Sequence, residues 1–190
     1  MEKSKISVIM TGLFLACCLG CNNEEKSTDT YSDTVARTDK TRVETDTPVA
    51  DNDAKWVSEV LESSYAEIKY ARQAQEKATH TEVKSLAKML ENDHNSLVSQ
   101  LKDLAGRNNW TVATSENQDA RDKIKDFSDD EVKEFQKRWT ELMEDNHEKS
   151  IRKFENAEVS DTTLRSWINN TIPKLKMHHD KIMEVQKKLK

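Results

Sequence analysis

Glu67, His94, His147 and His178 are the residues of this sequence whose types and positions suit them to shared chemistry. One carboxylate and three imidazoles offer oxygen and nitrogen ligands for zinc, iron, manganese or copper, and the imidazoles exchange protons near neutral pH. Each lies on the apolar side of a helical wheel drawn at about 100° per residue. Glu67 falls among Trp56, Val60, Ala71, Ala74 and Ala78, and His94 among Val83, Leu86, Leu90, Leu97 and Leu101. His147, beside Asn146, shares a stripe with Phe135, Trp139, Met143 and Phe154. His178 and His179 are flanked by Leu164, Ile168, Leu175 and Ile182. If the four inward groups hold a metal, Asp93 and His179 stand behind them as supporting residues. His80 falls in a turn and reads as solvated.

Four long helices must carry these residues. The first is predicted over 54–78. The second opens near Thr81, a capping residue, and ends with Gly106 in the C-terminal cap position. "RNNWTVAT" is a loop, and "SENQ" at Ser115–Gln118 is a capping box for a short helix to about residue 127. "SDDE" at Ser128–Glu131 is another box, opening the third long helix, which reaches about residue 158. Ser160 or Asp161 caps the fourth, which runs almost to Lys190, with Pro173 expected to kink it. Short links inside each helix pair and a long middle connection predict an all-α four-helix bundle with a short extra helix in the crossover.

Axial height decides whether the four groups meet. At about 1.5 Å per residue, Glu67 lies roughly 16 Å and His94 roughly 20 Å from their shared turn, a good match. His147 lies roughly 17 Å and His178 roughly 26 Å from theirs, a poorer one. Side chains lean towards their helix N-terminus, which narrows both gaps.

The first twenty residues are a targeting segment: "MEKSK" is a basic start and "ISVIMTGLFLACCLG" an apolar stretch too short for a comfortable membrane span. Gly20–Cys21 followed by a polar run looks like a bacterial lipobox, which implies cleavage before Cys21 and lipidation of its thiol. Cys18, at the third position upstream, departs from the usual Leu or Val, so Cys17 and Cys18 stay open as attachment points. All three cysteines are in this short stretch, leaving the remainder no disulfide framework. A lipid anchor holds a protein to a membrane without a spanning helix. "NNEEK" after Cys21 resembles a surface-export signal of some Gram-negative groups, or is a plain linker start. Residues 21–53 form an acidic, Thr- and Asp-rich tether with too little apolar surface to offset its ordering entropy. Residues 54–190 form the bundle domain. A net charge of -5 gives no basic footprint for nucleic acid, and nothing identifies a protein partner.

"YAEIKYARQA", "VKSLAKMLENDH", "HEKSIRKFE" and "IPKLKMHHDKI" resemble, in order, signature segments of the domain of unknown function 4142 family. The resemblance spans nearly all of 54–190. It implies a ferritin-like four-helix bundle in a secreted or outer-membrane protein, here a lipoprotein facing the periplasm or the cell surface. The family's inward positions fall on Glu67, Asp93, His94, His147 and His178. Asn146 stands where the family usually has an acidic residue, and His179 is an added histidine. Ferritin-type di-iron bundles use Glu-x-x-His on two helices and an inward Glu on each of the others. Glu91–His94 and Glu144–His147 have that spacing, but both glutamates lie on the flanks of their stripes. Helix four offers histidines where a carboxylate is required. Three imidazoles and one carboxylate suit a single ion better.

Two functions therefore stand side by side. One is a metal-binding envelope lipoprotein with Glu67, His94, His147 and His178 as ligands. The other is a non-catalytic envelope interaction or stress-tolerance module whose inward groups satisfy one another, since isolated buried charges are costly. An enzyme has least support: no Ser-His-Asp order, phosphate loop or cofactor fingerprint is present.

Overall fold

The computed structural model describes residues 49–189. Five helices occupy them: α1 Val49–Lys77, α2 Thr81–Asn108, α3 Gln118–Ser128, α4 Val132–Glu155 and α5 Thr162–Lys188. The targeting segment, Cys21 and nearly all of the tether lie outside the described residues. The first helix begins at Val49 rather than at residue 54. Asp53 is thereby helical and buried, and it accepts hydrogen bonds from the Ser160 and Asp161 backbone N–H groups at 3.0 and 2.7 Å.

Several helix ends differ from the sequence reading for local reasons. The second helix runs through Gly106 and closes at Asn109, which takes the left-handed conformation at φ 55; asparagine tolerates that region because its short amide bonds locally. His80, not Thr81, is the N-cap of α2. Asn117, not Ser115, caps α3, accepting from Ala120 N–H at 3.0 Å. Ser128 ends α3 instead of capping α4, whose cap Glu131 makes no side-chain bond. Asp161 does cap α5, accepting from Leu164 N–H at 2.7 Å. Pro173 lies within the continuous span of α5; having no N–H, it cannot donate to the carbonyl one turn back.

Helix α3 lies alongside α1 and runs parallel to it. Ser58 accepts from Ala113 N–H, Lys69 meets Glu116, Tyr70 donates to the Ala120 carbonyl, Gln73 to Ile124 and Lys77 to Phe127. The crossover therefore returns the chain to the α1–α2 turn, where Thr79 and His80 N–H both donate to Gln136 Oε1 at 2.8 Å. From there α4 descends and α5 climbs. The helices pack as α1 on α2, α4 on α5, α2 on α5 and α1 on α4, an all-α bundle with a short helix in its crossover.

The apolar interior is in two parts. One surrounds fully buried Trp139 and Phe135 with Leu90 and Ile182; Trp139 Nε1–H donates to the Tyr70 carbonyl at 2.9 Å. The other surrounds Leu61, Leu101 and Leu164. A polar layer separates them.

Candidate metal centre

That layer consists of Glu67 from α1, His94 from α2, His147 from α4 and His178 from α5, all buried. Ring centroids lie 5.7 Å apart for His94–His147, 5.8 Å for His94–His178 and 5.4 Å for His147–His178. The height mismatch anticipated for α4 and α5 does not keep their rings apart. Phe154, near the end of α4, packs on Trp56, whereas the start of α5 is tied to Asp53. On both helices the side chains lean towards the N-terminus, which raises His147 and lowers His178 towards each other.

His147 Nδ1 lies 2.8 Å from the Met143 carbonyl. A carbonyl only accepts, so Nδ1 carries the proton and Nε2 keeps a lone pair. His178 Nε2 lies 2.9 Å from Asp93 Oδ2, so that nitrogen donates and Nδ1 keeps the lone pair. Both lone-pair atoms are buried without a hydrogen-bond partner, as is Nδ1 of His94. A carbonyl or carboxylate behind an imidazole, fixing its tautomer, is the usual support of a metal-binding histidine. One ligand nitrogen from each of the three rings falls within 4.8 Å of the others.

Glu67 stands against two of these rings. Its Oε2 pairs with His94 Nε2 at 2.8 Å and lies 3.7 Å from His147 Nε2. Burial alone would raise its carboxyl; the adjacent imidazoles outweigh burial and hold it well below the ordinary range. Burial likewise opposes a proton on His94, but the Glu67 carboxylate overrides it and raises that imidazole. His147 and His178 have no such rescue. Burial lowers both, His178 to about 4 against the opposing pull of Asp93. Glu67 and His94 thus favour the charged pair, while burial favours neutral His147 and His178, the form in which histidine binds metals.

Asp93 links the layer to the surface, for Lys174 Nζ lies 3.0 Å from its Oδ1. On the opposite side, a cleft of about 310 Å³ reaches Glu67, with Tyr70, Asn146 and Ser150 among its walls. Glu91 pairs instead with Arg72 at 2.6 Å, and His80 with Glu82 at 3.0 Å. His179 is directed to the outer α4–α5 face, 3.8 Å from Glu148, and groups with Glu144 and Glu148. Sequence reading passed over that grouping. The i,i+4 spacing of the glutamates beside an inward histidine was the available signal.

The family model described as a domain of unknown function (DUF4142) matches residues 38–185. No curated protein and no solved structure matches the chain.

Proposed function

The chain belongs to the DUF4142 family, and from that premise we propose a lipid-anchored cell-envelope protein whose bundle binds one transition-metal ion. His94, His147 and His178 are the ligands, with Glu67 beside two of them to complete the set or balance the ion's charge. Asp93 and the Met143 carbonyl orient the rings. Zinc, iron, manganese or copper suits this donor set. One observation carries the reading: buried imidazole nitrogens from three different helices face one another without hydrogen-bond partners. A buried polar atom costs stability unless it is satisfied, and one ion would satisfy several together. Both apolar halves of the core shield the layer, while the cleft at Glu67 leaves a path for exchange.

The envelope assignment rests on the targeting segment and Cys21, with the outer membrane as its destination. Among the described residues no helix is long and apolar enough to cross a membrane, so attachment in this reading is through lipid. The 2.8 Å Glu67–His94 contact favours a second reading, a non-catalytic interaction or stress-tolerance module with a purely structural polar core.

Elemental analysis of the full chain, purified in detergent, separates the two. The metal reading expects one equivalent of transition metal in the wild type and its loss in His94→Ala. Unchanged metal content in His94→Ala would refute it.

A further inference from the structure

We propose that Glu144, Glu148 and His179 form a second, outer site for a divalent transition-metal cation. Each of these residues offers a ligand atom within 4.8 Å of the other two. Glu144 and Glu148 are four apart on α4 and so share one face. His179 reaches them from α5. Its Nε2 is itself shielded from solvent yet has no hydrogen-bond partner, and it points at Glu148 Oε1 from 3.8 Å. That gap is too long for a hydrogen bond, so the nitrogen faces a carboxylate oxygen that does not satisfy it.

Each carboxylate also accepts a hydrogen bond from a neighbouring side chain. Gln186 Nε2–H donates to Glu144 Oε2 at 2.7 Å, and Arg152 Nη1–H donates to Glu148 Oε2 at 3.2 Å. Two oxygens and one nitrogen suit zinc, manganese or ferrous iron; a soft ion such as Cu(I) would want thiolate or thioether ligands. Partial exposure leaves room for water in the remaining positions, so this site holds its ion more loosely than a closed one. Each outer residue follows an inward one in sequence, Glu148 after His147 and His179 after His178. An ion held outside therefore sits one residue along each helix from the buried rings. The outer site stands on its own residues and does not depend on metal in the buried layer.

Equilibrium dialysis of the full chain in detergent against Zn²⁺, with helicity checked by circular dichroism, tests it. The wild type should bind a weaker Zn²⁺ that Glu148→Gln and His179→Gln each weaken by roughly tenfold or more. His147→Ala should retain that weaker ion. Isotherms of folded Glu148→Gln or His179→Gln that superpose on the wild type would overturn the proposal. If the wild type binds a single Zn²⁺ that Glu148→Gln removes, the outer site stands and the buried reading falls. If it binds a single Zn²⁺ that only His147→Ala removes, the reverse holds. If it binds none, both fall. The two glutamine variants are at partly exposed positions, so either can carry the test if the other fails to fold.

Discussion

Between pH 6.5 and about 4, the metal-free protein should lose about 3 kcal/mol of folding stability through His178 alone. Burial is the main cause of its lowered pKa, with the neighbouring His94 and His147 adding to it and Asp93 opposing. In the unfolded chain the imidazole takes up a proton near its ordinary 6.5; in the folded protein it resists until about 4. A depressed value means stability that is fully present above 6.5 and is lost as the pH falls through the folded value. At about 1.36 kcal/mol per pH unit, that interval is worth about 3 kcal/mol. The side chain is only 2% exposed, so solvent screening takes little from the figure. His147, also lowered by burial, acts in the same direction. His94 acts oppositely: its raised value gives stability present below 6.5 and lost as the pH rises through its folded value. The clean measurement is therefore a difference. Urea unfolding of wild type and His178→Gln, with chelator, from about pH 7 down to about pH 4.5, should show the two stabilities converging or crossing by most of that amount. A difference that stays constant with pH would refute the reasoning, because it would mean His178 takes its proton as easily folded as unfolded.

Three further outcomes are expected. Glu67→Ala leaves His94 without its buried counter-charge and should cost about 3–5 kcal/mol in chemical denaturation, with Glu67→Gln recovering part of the loss. Asp53→Ala removes the acceptor for two backbone N–H groups at the start of α5 and should cost about 1–2 kcal/mol by the same assay. Cys21→Ser should move the protein from the membrane pellet to the soluble fraction on cell fractionation. If Cys21→Ser leaves it in the pellet, lipidation at that residue is wrong.

The apolar stripes made much of this legible from residues alone. His94 between Leu90 and Leu97, and Glu67 between Val60 and Ala71, can point only inward if the helices pack, and they do. The agreement of His147 with His178 was not legible, because it depends on how far the 156–161 linker drops before α5 begins. Periodicity carries no information on that drop; the Asp53 tie sets it. Helix ends were read from residue type, and more than one residue could serve each end. Asn109 took the left-handed position assigned to Gly106, and Asn117 took the cap assigned to Ser115. The Glu144, Glu148 and His179 grouping was hidden because residues on the flank of a stripe look like any solvated charges until a neighbouring helix is placed beside them.

Dividing the interior with charged and polar groups also constrains how the four rods can align. Moving α5 along its neighbours by one turn, about 5.4 Å, would seat Leu175 or Ile182 beside His94, His147 and Asp93 and strand the His178 imidazole among aliphatic side chains. A uniformly leucine-lined bundle tolerates such sliding far better, since one greasy contact replaces another. The layer thus acts as an alignment key: even with no ion bound, a one-turn slip of α5 would leave a buried imidazole without Asp93.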